Sequence, residues 1–259
     1  MQSRITTDNN IDPFEDFLAT DRRGRHPWVM ANMVTSIDGA SAADGTSGGL
    51  GGPGDQTVFK AIRDLSDVII VGSSTAAVEN YHPPLPNKAR QTRRTNNGAA
   101  PGPVVALVSK SLKMDPLSKL FSDDKQRPII ITPESADTER INQLGDVAEM
   151  IVVGGDQVTP RAASQALFDR GYYVQLIEGG PRLLGQFLQA QIIDEFFVTL
   201  APKLVGGPSP RIAVGSGSTN TPMELASVLQ DGDELYLRYV SSRARQLSQH
   251  DPGAAATPR

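Results

Sequence analysis

A three-layer α/β/α fold, built on a mixed and mostly parallel sheet with an antiparallel C-terminal edge, is predicted by three observations. Short apolar runs alternate with stretches of helical spacing along most of the chain, the rhythm of repeated βα units. Several of these runs, such as Val68-Ile69-Ile70-Val71 and Val104-Val105-Ala106-Leu107-Val108, are continuously apolar, as strands covered on both faces must be. Leu235-Tyr236-Leu237-Arg238-Tyr239-Val240 instead alternates apolar and polar positions, as an antiparallel edge strand would.

The 259 residues suffice for one large domain or two small ones with a buried core. A net charge of -4 gives no global basic field for nucleic acid or an anionic membrane surface, so any anion must be held locally. Cysteine is absent, which removes disulfides, thiolate metal sites, iron–sulfur clusters and a cysteine nucleophile together and fits a cytoplasmic location. The first ten residues carry no apolar segment of a signal peptide, and nowhere do about 18 apolar residues run together.

Taken in order, residues 1–25 are a polar N-terminal arm in which Phe14, Phe17 and Leu18 are the expected packing contacts and Arg22-Arg23-Gly24-Arg25 reads as a solvated linker. Residues 26–245 form the folded domain, and residues 246–259 are expected to be a disordered tail. Trp28–Val34 is the first strand, ending in Thr35-Ser36-Ile37-Asp38-Gly39, where Asp-Gly marks a turn. A Gly/Ala/Ser loop spans residues 41–54. The helix that follows puts Val58, Ala61, Ile62 and Leu65 on one face and leaves Arg63 off that stripe.

The strand over Val68–Val71 ends in Gly72-Ser73-Ser74-Thr75. The proline-rich stretch from Tyr81 to Pro103 reads as an exposed loop or, as an alternative, a domain boundary. Strands at Val104–Val108, Pro128–Thr132 and Val147–Val153 follow, with a helix over Asp137–Leu144 and another entered at Thr159-Pro160. Val174 to Gly207 is the organising unit: strand, glycine turn, helix, strand, then a Pro/Gly loop. Its turn, Glu178-Gly179-Gly180-Pro181, lets the main chain approach a ligand without a Cβ in the way, and a helix N-terminus behind it favours an anion. That is the description of a phosphate site.

Ligands in such sheets bind beyond the carboxyl ends of the strands. Polar or glycine residues stand there at four junctions: Thr35 to Gly39, Gly72 to Thr75, Ser109, and Glu178 to Gly180. Asp38 and Glu178 are the acidic candidates, because desolvation just past a buried strand would raise a carboxyl pKa toward the range useful for proton transfer. Turn formation with Gly39 is the alternative for Asp38, and helix capping the alternative for Glu178. Arg63 can clamp a phosphate through its planar fork or simply be a surface arginine. His26, His82 and His250 have no metal-ligand spacing, no Gly-x-Ser-x-Gly elbow follows a strand, and there is neither a phosphate-loop lysine nor a Gly-x-Gly-x-x-Gly fingerprint. No metal site is expected, and the chemistry points to a bound cofactor.

Three motifs in order carry a resemblance: Thr35-Ser36-Ile37-Asp38-Gly39; Arg63 with Ser66-Asp67-Val68-Ile69-Ile70-Val71-Gly72-Ser73-Ser74-Thr75; and Glu178-Gly179-Gly180-Pro181 with Ile193-Asp194-Glu195 and Ala201-Pro202-Lys203-Leu204-Val205-Gly206. Over residues 27–243 the chain resembles the reductase domain of the bifunctional riboflavin-biosynthesis deaminase/reductase, and the stand-alone actinobacterial-type pyrimidine reductases. The resemblance implies a dihydrofolate-reductase-like fold, NADPH as cofactor and a homodimer. It also implies reduction of the ribosylamino side chain of a diaminopyrimidinone or aminouracil 5′-phosphate to the ribityl form. Dihydrofolate or another pteridine is the alternative substrate, and an NADPH-binding paralogue without turnover the alternative class.

Carried over by motif, Thr35, Gly72, Thr75, Ser109, Gly179, Gly180, Pro181, Arg182 and Leu183 would serve NADPH, while Asp38, Ser47, Arg63 and Glu178 would face the pyrimidine or its ribose phosphate. Glu178 or Asp38 would handle the proton. The chain departs from the family at Thr75-Ala76-Ala77-Val78-Glu79-Asn80-Tyr81, where many members have Thr-Val-Arg, and at Ser47-Gly48-Gly49, where Ser-x-Trp is frequent. It also lacks the His-x-Glu and Pro-Cys-x-x-Cys of a zinc deaminase.

Overall fold

The computed structural model describes residues 5–6, 22–123, 126–215 and 217–245. The strands are β1 (Ile5–Thr6), β2 (Trp28–Ser36), β3 (Val68–Gly72), β4 (Val104–Val108), β5 (Ile129–Thr132), β6 (Glu149–Val152), β7 (Val174–Gly179), β8 (Glu195–Ala201), β9 (Met223–Asp231) and β10 (Glu234–Ser241). They form one sheet in the order β1-β9-β10-β8-β2-β7-β3-β4-β5-β6. From β8 to β6 every pairing is parallel, and β10 runs antiparallel to both β8 and β9. The antiparallel side is therefore present, but the alternating strand β10 is not its edge. β9 lies outside it, joined through a turn at Gly232 whose φ of +56° suits glycine.

Period-two alternation sends Val29 and Ala31 of β2 to one face of the sheet and Trp28 and Met30 to the other. On the first face α5 (Pro160–Phe168) and α6 (Pro181–Gln189) bury Ala163, Leu167, Leu184 and Phe187 against β2, β3, β5 and β7. On the second, α1 (Pro53–Leu65) buries Val58 and Ile62, while α2 (Ser73–Val78) and α4 (Thr138–Gly145) add Ala76 and Leu144. Each fully buried Val, Leu, Ile or Phe stabilises by about 1.5–3 kcal/mol relative to exposure. The helix starts are chemically marked: Thr159 accepts from the Ala162 N–H ahead of Pro160, and Asp137 accepts from the Glu139 and Arg140 N–H groups.

The stretch from Tyr81 to Pro103 is neither plain loop nor boundary. It contains α3 (Lys88–Asn96), which has no apolar stripe to betray it. Arg94 anchors this helix: only 2% exposed, it donates from Nη1 to the Asp64 and Ser66 carbonyls at 2.7 and 2.8 Å, and Arg90 pairs with Asp64. Hydrogen bonds to α1, rather than hydrophobic burial, fix α3.

The arm is also docked where it is described. β1 pairs parallel with β9, and Arg22 is buried and bidentate on Glu195 at 2.8 and 2.9 Å, so the expectation of a solvated linker is corrected at this residue. Phe14, Phe17, Leu18 and the tail 246–259 lie outside the described residues.

Beside Glu195, burial pushes the Asp194 carboxyl up to about 6, only partly offset by the Val29 N–H and Arg243. Between its unfolded value near 4 and about 6, the folded state binds a proton that the unfolded chain releases. Stability from this group should thus fall as pH rises through that window, by up to roughly 3 kcal/mol. Urea titrations from pH 4 to 7 should show that slope flattened in Asp194→Asn; equal slopes in both proteins would contradict it.

Candidate active site

The amphipathic α1 has two working faces. Val58 and Ile62 pack inward, whereas Asp55, Phe59 and Arg63, at i, i+4 and i+8, face a cavity of about 520 Å³. Its other walls come from the carboxyl end of β7 with Glu178, Gly180 and Pro181, from α2 and the turn after it through His82, and from the loop carrying Ser47.

The centre of the cavity wall is an ion pair. Arg63 donates from Nε to Glu178 Oε1 at 2.7 Å and from Nη2 to Oε2 at 2.6 Å, and the Tyr81 hydroxyl donates to Oε2 at 2.7 Å. The guanidinium also stacks 4.1 Å from the Phe59 ring centroid. Burial pushes the arginine down, but the Glu178 charge outweighs it, so Arg63 is held more firmly protonated than usual. Burial and the same carboxylate push Tyr81 well up, which keeps its hydroxyl a donor. The capping alternative for Glu178 does not describe it: the cap position of α6 is Gly180, and the glutamate turns to Arg63 and Tyr81 instead.

Next to this pair lies the glycine turn. Gly179 has φ +103° and the Gly179–Gly180 peptide is cis. A Cβ on Gly180 would overlap Thr75 Oγ1, and one on Gly72 would stand 3.9 Å from the Gly180 nitrogen, so two strand-to-helix junctions meet with only main chain between them. Behind them the first turn of α6 presents N–H groups that no intrahelical carbonyl can take. These features fit a dinucleotide phosphate.

The structure does not assemble all the expected residues. Ser47, Arg63, Thr75, Glu178, Gly180 and Pro181 line the cavity; Asp38, Thr35, Gly72, Ser109, Gly179, Arg182 and Leu183 are not among its lining residues. Leu183 packs its side chain into the core, leaving only its backbone for a ligand, and Arg182 is exposed. Ser109 Oγ accepts from the Leu112 N–H, and Thr35 Oγ1 donates to the Ala40 carbonyl at 3.2 Å.

Asp38 is a correction. It is exposed, accepts from the Ser36 hydroxyl and from the Val205 and Gly206 N–H groups, and is held down at about 2 by these bonds, the Ser36 one first. The expected upward shift is the reverse of what is found, and the carboxylate instead ties the β2 turn to the loop after β8. Conversely, Asp55, Glu79, Tyr81 and His82 line the cavity without having been picked out. The spacing Asp55-Phe59-Arg63 was the available signal for the first. Glu79 accepts from the Ser47 N–H at 2.9 Å.

Comparison with known proteins accords with this geometry. The chain is 27% identical over 218 residues to the 2,5-diamino-6-ribosylamino-4(3H)-pyrimidinone 5′-phosphate reductase of Methanothermobacter thermautotrophicus, covering 82% of this chain and 97% of that protein. Identity to the protein of the same name from Archaeoglobus fulgidus is 24% over 191 residues, covering 73% and 87%. A crystal structure of a pyrimidine reductase-like protein from Corynebacterium diphtheriae superposes with a TM-score of 0.80 at 28% identity, covering 88% of this chain and 98% of that one. The family model for the RibD C-terminal domain matches residues 27–237, which span the cavity, the glycine turn and nearly the whole sheet, and the chain belongs to that family.

Proposed function

We propose that this chain is an NADPH-dependent reductase of the riboflavin pathway, converting the ribosylamino side chain of a diaminopyrimidinone or aminouracil 5′-phosphate to the ribityl form. One observation carries the reading: the glycine turn suited to a dinucleotide phosphate adjoins a cavity walled by the Arg63–Glu178–Tyr81 constellation. Bound there, NADPH would supply a hydride. The chain's own residues would do the rest. Gly180, Pro181 and Thr75 would seat the cofactor, and Arg63, fixed in orientation by Glu178 and Phe59, would meet the polar edge or ribose phosphate of the substrate. The charged and hydrogen-bonding side chains of Arg63, Glu178 and Tyr81 on this wall suit the ribose and its phosphate. By family resemblance the protein would act as a cytoplasmic homodimer.

The test is NADPH oxidation, followed by absorbance, with the phosphoribosylamino pyrimidine and with dihydrofolate. Turnover of the first alone is expected. Turnover of dihydrofolate alone would replace the reading, and tight NADPH binding with neither substrate consumed would mark a binding protein. In the same assay Gly180→Val should weaken NADPH binding roughly 10- to 100-fold, because the added side chain collides with Thr75. Unchanged cofactor affinity in that variant would reject the phosphate-turn assignment.

A further inference from the structure

The cavity is lined by three carboxylates, those of Asp55, Glu79 and Glu178. Glu178 is engaged by Arg63 and Tyr81, and Glu79 by the Ser47 N–H, so both are committed as acceptors. Asp55 also accepts a hydrogen bond, from Thr199, but it has a second carboxylate, Glu234, near it. It sits in the first turn of α1 on the cavity face, and behind it are the Thr199 hydroxyl from β8 and the Glu234 carboxylate from β10.

Burial pushes the Asp55 carboxyl up from its ordinary value, the Thr199 hydrogen bond opposes this, and the Glu234 charge adds to it. Glu234 is itself held in place, accepting from the Gly52 N–H and the Tyr236 hydroxyl at 2.7 Å each. Burial and Glu234 push Tyr236 up in turn, and Asp231 from β9 adds a further negative charge beside it. Along the cavity walls stand His82, Glu79 and the Arg63–Glu178 pair. The groups packed behind Asp55 thus favour its keeping a proton while it faces the space a substrate would occupy.

Building on the proposed reductase function, we infer that Asp55 is the catalytic proton donor, giving its proton to the ring oxygen O4′ of the ribosylamino group as the C1′–O4′ bond breaks. The electron pair of that bond goes to O4′ with the proton. The lone pair of the exocyclic nitrogen closes a C1′=N bond, leaving an open-chain iminium. The hydride then enters at C1′, the C=N electron pair returns to nitrogen, and solvent reprotonates Asp55. One proton and one hydride are consumed, as the conversion requires. The iminium is cationic, and the Glu79 carboxylate on the cavity wall favours it over the neutral closed ring, the Glu178 charge being offset by Arg63. This gives the acidic lining a purpose that phosphate binding alone does not.

Two measurements test the assignment. In ligand-free protein labelled with ¹³C-carboxyl aspartate, the resonance missing from Asp55→Asn should titrate above the ordinary aspartate range; a midpoint at the ordinary value overturns the proposal. In the pyrimidine assay, wild-type kcat/KM should fall as pH rises through that midpoint, since the donor must be protonated. Thr199→Val, which removes the opposing hydrogen bond, should move this limb to higher pH. Asp55→Asn should lose the limb and roughly 10²- to 10⁴-fold in turnover while keeping its NADPH affinity. Wild-type turnover in D55N with the same limb overturns the proposal. Should D55N fail to fold, by near-ultraviolet circular dichroism, an unmoved limb in T199V overturns it equally. If the wild-type protein does not consume the pyrimidine at any pH, the reductase reading fails and this assignment falls with it.

Discussion

Glu178→Gln is expected to cut turnover roughly 100-fold while leaving NADPH affinity nearly unchanged. The carboxylate does not need to transfer a proton for this to hold. Its two oxygens receive three hydrogen bonds, two from the Arg63 fork and one from Tyr81, and an amide can present only one acceptor oxygen to them. One arm of the fork would face an N–H group, and the guanidinium would swing on its Phe59 platform away from the position that meets substrate. Arg63→Lys should cost as much, because an ammonium cannot reproduce a planar bidentate contact. Steady-state kinetics with fluorescence titration of NADPH separates the two quantities. Equal losses of turnover and cofactor affinity would move Glu178 from the substrate side of the site to the cofactor side.

Glu195→Leu should destabilise the fold by roughly 3–5 kcal/mol, the largest stability effect of any single change considered. Glu195 is fully buried at the head of β8 and accepts from Arg22, Arg238 and the Trp28 indole N–H. Burial pushes its carboxyl up, but Arg22 and Arg238 outweigh it and hold it down at about 2. A depressed carboxyl stabilises above its unfolded value, near 4.5, and loses that contribution as pH falls toward 2. A leucine leaves two nearly buried guanidiniums facing an apolar side chain. Thermal melts at pH 7 should drop by about 10 °C or more, and limited proteolysis should open after Arg22 or Arg23. A fall in stability below about 1 kcal/mol would show that the cluster relaxes without cost.

The parts of the fold that were legible in the sequence are those whose burial repeats with a period. β3 and β4 read as covered strands because both faces of each are apolar, and α1 and α6 read as helices because their stripes recur at 3.6 residues. α3 carries no such stripe; its anchor, Arg94, bonds to carbonyls 28 and 30 residues earlier, a relation that no local pattern encodes. β9 was hidden for a related reason, since its pairing with β10 leaves it largely half-exposed and weakly patterned.

Within the site, Glu178 and Arg63 could be placed because each ends or lines a recognisable element. Asp38 looked equivalent, but its carboxylate satisfies N–H groups 167 and 168 residues further on, which turns a candidate acid into a tether. Asp55, in the first turn of α1, has nothing in its local sequence to set it apart from a residue that opens a helix. Its distinguishing neighbours, Thr199 and Glu234, come from strands far along the chain.

The placement of β2 has a consequence in time. Its neighbours in the sheet are β7 and β8, which begin at Val174 and Glu195, so this strand, near the middle of the whole sheet, is made well over a hundred residues before either partner. On a ribosome adding about 5–20 residues per second, its apolar faces wait roughly 7 to 28 seconds before either neighbour emerges. Closure of the sheet around β2 thus waits for β8 to emerge, and a nascent chain of this protein needs shelter for β2 until then.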